Sequence, residues 1–170
     1  NKVQRIDAVL YTHSHADHVH GIDDLRGFAI TQRERIPIYA DPETMGRIRA
    51  GFGYCLETPE GSSYPPITRP MLINSLEETI RITGAGGTIE VQPLDQIHGS
   101  IRSLGYRIGD LAYCCDVSDF PRTTIALSPA WSHWTCIHSS GSGDTAYRDL
   151  VFPVFLSNRA MPISCVLGSP

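Results

Sequence analysis

Lysine is nearly missing from this chain of 170 residues: of its 14 basic residues only Lys2 is lysine, and the rest are arginine. These charges are dispersed and outnumbered by 18 acidic residues, for a net charge of -4. A phosphate-binding surface needs clustered basic side chains, so no nucleic-acid partner is expected. No apolar run approaches the roughly 18 residues of a membrane-spanning helix, so no membrane partner is expected either. A C-x-x-C pair is also missing. The five cysteines are odd in number, and Cys114 and Cys115 are adjacent, a poor geometry for a mutual bridge. That argues against a disulfide framework or a thiolate zinc site and for a reducing compartment. No signal peptide is visible, and a cytoplasmic location is the default expectation. Hydrophobic residues make up 41% and charged residues 19%, which suits one globular domain and not a disordered chain.

Hydrophobic patterning predicts a mixed α/β organisation. Residues 6–12 (IDAVLYT) are apolar and β-branched enough for a buried strand, ended by the polar run from His13. Asp23 is placed to cap a helix over residues 24–32, on which Leu25, Phe28 and Ala29 share a face. Residues 36–40 (IPIYA) predict a short strand. Asp41-Pro42-Glu43 supplies an N-cap, a first-turn proline and an early acid for a helix to about Phe52. Residues 57–70 contain four prolines and a Gly-Ser-Ser step, and predict a long loop that lines a pocket. Strands are expected at 79–83, 88–93 and 104–108, with Gly109-Asp110 turning the last into a strand over 111–116.

The segment that carries chemistry is Thr12-His13-Ser14-His15-Ala16-Asp17-His18. Three imidazoles and one carboxylate fall within six residues, directly after a buried strand. Extended backbone puts His13 and His15 on one side, and Asp17 and His18 follow as the chain turns toward a helix. Neutral imidazole and carboxylate suit zinc, manganese or iron. Two ligand pairs this close can hold two metals that activate a nucleophile and clamp the oxygens of a phosphoryl or acyl group.

This H-x-H-x-D-H text resembles the signature of the metallo-β-lactamase fold superfamily. The wider stretch LYTHSHADHVHGIDDLRGF is most similar to the branch of phosphoribosyl 1,2-cyclic phosphate phosphodiesterases of phosphonate breakdown. Residues 36–40, 52–55 and 61–66, His98-Gly99 and residues 113–121 also look like that branch. The resemblance implies a four-layer αββα sandwich and two divalent ions, zinc or manganese. It implies His13, His15 and His98 as ligands of the first ion. Asp17 and His18 would be ligands of the second, and Asp116 the carboxylate bridging both. A metal-bridging hydroxide would then open a small cyclic phosphodiester, with Asp17 also orienting the nucleophile. Thioester, lactone or β-lactam hydrolysis would use nearly the same ligands and stays open, and a homodimer is an allowed assembly. His20 is a candidate substrate contact, a support behind the metal ligands or a solvated histidine, whereas Tyr64 and Arg102 could meet a substrate phosphate but are read first as loop packing and solvent contacts.

The chain also departs from that family. The strands that precede the motif in the family are missing, so residues 1–121 are expected to form a partial core. Residues 123–170 hold only Asp144, Arg148, Asp149 and Arg159 as charges, and 19 of the 48 are Ser, Thr, Gly or Pro. Only residues 149–156 resemble a strand. The family's second ion takes a final histidine from a late strand, but the later histidines are His133 and His138, neither at the end of a recognisable strand. Residues 122–170 are therefore expected to be an atypical tail, with a reading-frame shift near residue 122 as its explanation. A fragment that binds at most one metal, and is inactive, is the competing expectation.

Overall fold

The apolar run over residues 6–11 is buried on both faces, which explains why it reads as continuous and not alternating. Ala8 and Leu10 face one core and Val9 and Tyr11 another. The computed structural model describes residues 3–109, 111–127, 133–137 and 154–156. Strand β1 (Ala8–Leu10) pairs in parallel with β2 (Ile36–Ala40), and β2 pairs in parallel with β3 (Thr68–Leu72). On its other side β1 pairs antiparallel with β9 (Val154–Leu156), giving a sheet of order β3-β2-β1-β9. A second sheet has the order β4-β5-β6-β7-β8. It is an antiparallel meander of β4 (Ile80–Gly84), β5 (Gly87–His98), β6 (Ile101–Ile108) and β7 (Leu111–Cys115), with β8 (His133–Ile137) added in parallel.

Helices cover the outer face of the first sheet. The short α1 (Ala16–Val19), a 3-10 turn (His20–Leu25), α2 (Arg26–Gln32) and α3 (Pro42–Leu56) bury Val19, Ile22, Leu25, Ile48 and Leu56 against Ile36, Ile38 and Ala40. Between the sheets lie Ala8, Leu10, Ile82, Val91, Leu104 and Tyr106. Beyond the second sheet, Leu94, Ala112 and Cys114 form a third cluster with Phe120, and α4 (Arg122–Leu127) docks on β5, where the Thr124 hydroxyl donates to the Asp95 carbonyl at 2.8 Å. The layers run helix, sheet, sheet, helix, as the motif led us to expect. Among the described residues, no helix is long and apolar enough to cross a membrane.

Several local expectations change. Asp23 does not cap a helix: it lies inside the 3-10 turn, bonds Arg26 at 2.7 Å, and accepts from the Cys55 thiol at 3.7 Å. The cap at Asp41 forms as expected, its carboxylate accepting from the Thr44 amide at 2.7 Å. Helix α3 runs past Phe52 to Leu56, with non-helical dihedrals at Phe52 marking a kink. The expected loop over 57–70 gives way at Thr68 to β3, an edge strand that tolerates Pro70. Strand β5 continues five residues beyond Pro93 to His98. Pro93 lies past the end of β4, which stops opposite Val91, so its missing N–H is lost where only one neighbouring strand pairs. In the tail, β9 falls within the expected stretch 149–156, whereas β8 was not expected.

Candidate metal centre

The expected ligands gather at strand ends and in the short helix that follows the first of them. His13 follows β1, His98 is the last residue of β5, and Asp116 follows β7, while Asp17 and His18 lie in α1 directly after the His13–His15 pair. The backbone locks these ends together. The Leu104 amide of β6 donates to the Thr12 carbonyl at 2.8 Å, fastening the exit of β1 to the second sheet. The Gly99 amide donates to the Ser118 hydroxyl at 2.9 Å, and that hydroxyl donates to the Ile97 carbonyl at 3.0 Å. The loop after β7 is thereby held to the β5–β6 turn, which sets Asp116 beside His98. Gly99 opens that two-residue turn at φ +59, a conformation glycine adopts without steric cost. Asp116 itself has φ +47, in the left-handed region that Asp tolerates better than most residues.

One ligand atom from each of His13, His15, His98 and Asp116 lies within 4.8 Å of the others, and Asp17, His18 and Asp116 form a second group by the same measure. Asp116 belongs to both. Its Oδ2 lies 2.8 Å from His18 Nε2, 3.5 Å from His13 Nε2 and 3.9 Å from His98 Nε2. His98 Nε2 and His15 Nδ1 are 3.3 Å apart. His13 is 1% exposed, yet its Nε2 has no hydrogen-bond partner. An unpaired buried polar atom costs roughly 1–3 kcal/mol unless something binds it. Burial chiefly, with the neighbouring His18 and His15, pushes the His13 imidazole down to about 4 against the pull of Asp116. At neutral pH it is uncharged, the form that ligates metal. Three imidazoles and a carboxylate converging on one point fit a divalent ion, and the donor types fit zinc or manganese.

Of the remaining candidates, His20 stands outside both groups; its ring meets Phe52 edge-on, with centroids 5.6 Å apart. Arg102 pairs with Asp95 at 2.7 Å, and the exposed Tyr64 lies under the Arg26 guanidinium at 5.3 Å. His133 opens β8 opposite Leu111, whereas Asp116 follows the other end of β7. At about 3.3 Å per residue, the five residues from Leu111 to Asp116 put the start of β8 roughly 17 Å along the strand from the centre, the wrong end for a late ligand. His138 lies outside the described residues. Sequence reasoning did not single out Thr12 or Cys115. The Thr12 hydroxyl is 3.0 Å from His13 Nδ1, and the Cys115 thiol donates to that hydroxyl at 3.5 Å. The available signal was position, since each directly precedes a ligand.

The family model for a beta-lactamase superfamily domain matches residues 1–132. Among curated proteins, the chain is 32% identical over 123 residues to one named octanoyltransferase from Porphyromonas gingivalis (strain ATCC BAA-308 / W83). That match covers 72% of this chain and 23% of the relative. Among solved structures, it is similar to a crystal structure described as a new diphosphatase from the PhnP family. The TM-score is 0.60 and the identity 29%, covering 74% of this chain and 44% of that one. The chain therefore spans less than half the length of either relative. Through the match over residues 1–132 and its two-sheet sandwich, the chain belongs to the beta-lactamase superfamily.

Proposed function

We propose that this chain is a metal-dependent hydrolase domain that opens a small cyclic phosphodiester of the phosphoribosyl 1,2-cyclic phosphate kind. The observation that carries the reading is the convergence of His13, His15, His98 and Asp116 around a buried, unpartnered imidazole nitrogen. These four residues would hold one divalent ion, and Asp17, His18 and the shared Asp116 a second. Two such ions would acidify a water molecule and neutralise charge on phosphoryl oxygens. The protein's own contribution is positional. His13 is fixed from below by burial, and Asp116 is held at a strained turn between two strand ends. Asp17, with its side chain 62% exposed and 3.5 Å from His18 Nε2, is open to solvent, where it would orient a nucleophile or hold a proton. His20, next along the chain and exposed, is the proposed substrate contact.

Support for the phosphoryl substrate comes from the diphosphatase relative and from the motif's branch resemblance. The relative named octanoyltransferase favours a second reading, hydrolysis of an acyl ester or thioester at the same centre. Metal content after purification without chelator and exchange against zinc or manganese is the first test. Close to two ions per chain is expected; one or none would sink the two-metal hydrolase. A loaded chain is then offered a cyclic phosphodiester, a thioester, a lactone and a β-lactam, and turnover confined to the acyl substrates would replace the phosphodiesterase reading.

A further inference from the structure

We propose that Thr12 is a positioning residue that fixes the His13 ring as the Nδ1–H tautomer, so that its Nε2 lone pair is the one presented to the centre. A neutral imidazole protonates one nitrogen, and the partner of the other nitrogen decides which. Here the Thr12 hydroxyl lies 3.0 Å from His13 Nδ1, inside the protein, with both residues buried. The direction of that bond follows from the ring's other nitrogen. The Cys115 thiol donates to the same hydroxyl at 3.5 Å and leaves it a second lone pair with which to accept from Nδ1–H. The opposite direction would put a proton on Nε2. That buried N–H would have no hydrogen-bond partner, since Asp116 Oδ2 is 3.5 Å away and not placed to accept.

Thr12 cannot drift, because its carbonyl accepts from the Leu104 amide at 2.8 Å and its side chain is held from the end of β7 by Cys115. The last residue of β7 thus acts on the ligand that follows β1, through a single hydroxyl. The inference deepens the metal-dependent reading and rests on it for its consequence, though not for its structural content. Replacing Thr12 by valine keeps the shape and removes both acceptor lone pairs; serine keeps the hydroxyl.

The test begins with the metal-free wild-type chain. Long-range nitrogen–proton correlation spectra, with His13 assigned by comparison with His13→Gln, are expected to show protonated Nδ1 and bare Nε2. A proton on Nε2 would overturn the proposal without any Thr12 variant. In Thr12→Val the preference is expected to be lost, and zinc affinity, read by competition with a chromophoric chelator, to fall about tenfold. Thr12→Ser is expected to restore both. Wild-type tautomer and affinity in a folded Thr12→Val would also overturn it. If the wild-type chain bound no metal, the hydrolase reading would fail, while the metal-free spectrum would still decide the role of Thr12.

Discussion

The Tyr106 hydroxyl donates a hydrogen bond to the Tyr11 carbonyl at 2.6 Å, joining two buried residues 95 positions apart. Tyr106 lies on β6 and Tyr11 one residue past β1, so the bond crosses between the sheets two residues before His13. Replacing Tyr106 by phenylalanine keeps the ring and removes the donor. A carbonyl left unsatisfied in the core costs about 1–3 kcal/mol. We expect Tyr106→Phe to lower the urea midpoint accordingly with an unchanged slope. Metal content should stay the same, because the Leu104–Thr12 backbone bond still fastens the motif. Loss of metal in a folded Tyr106→Phe chain would show that the hydroxyl, and not the backbone bond, sets the site.

Asp116 separates binding from folding. Its φ of +47 is strained for alanine but accessible to asparagine, which also keeps the side-chain shape. Asp116→Asn removes the charge shared by both ligand groups and little else. Thermal stability of the metal-free chain should change by no more than about 1 kcal/mol, while bound metal should fall to one ion or none by elemental analysis. Two ions retained in Asp116→Asn would remove Asp116 from the bridging role.

Cys55 is completely buried, and its thiol is pushed up to about 11 by burial first and by the nearby Asp23 carboxylate second. Thiolate is the reactive form, so the shift lowers the reactive fraction on the order of a hundred-fold. Alkylation at pH 8, followed by peptide mass spectrometry, should leave Cys55 unmodified in the native chain and label it in urea. Fast native labelling would mean that α3 opens at its Phe52 kink.

How much of this was legible depended on how local each signal was. The four donors from His13 to His18 lie within six residues, so spacing alone exposed them. His98 and Asp116 reach the centre only through strand pairing across the second sheet, and Asp116 without its family pattern is an ordinary turn residue. The prolines misled at both ends of the reading. Pro70 and Pro93 suggested breaks, yet one sits on an edge strand and the other beyond the end of its neighbour. Asp23 misled for the opposite reason: a good capping residue was used by Arg26 and Cys55, contacts that depend on tertiary packing. Thr12 carried no pattern at all, because a hydroxyl that holds a ring is visible only once the ring's other neighbours are in place.

The same substitution at two glycines should act with opposite signs. Gly105, on β6, has no room for a side chain: an added Cβ would lie 3.0 Å from Gln96 Nε2 and 3.1 Å from the Tyr113 carbonyl oxygen. Gln96 is fully buried, and the Tyr113 carbonyl belongs to β7, which pairs with β6 at Tyr106, so neither neighbour withdraws freely. Overpacking of this kind costs about 1–3 kcal/mol. Gly46 lies inside α3, exposed, with nothing within 4 Å of an added Cβ. There, alanine removes unfolded-state freedom and improves helix propensity, a gain of about 0.5–1 kcal/mol. Thermal melts should therefore show Gly105→Ala below the wild-type chain and Gly46→Ala above it. If Gly105→Ala melts no lower, β6 and β7 are looser around Gln96 than their register implies, and the ends that carry His98 and Asp116 are not held by sheet packing.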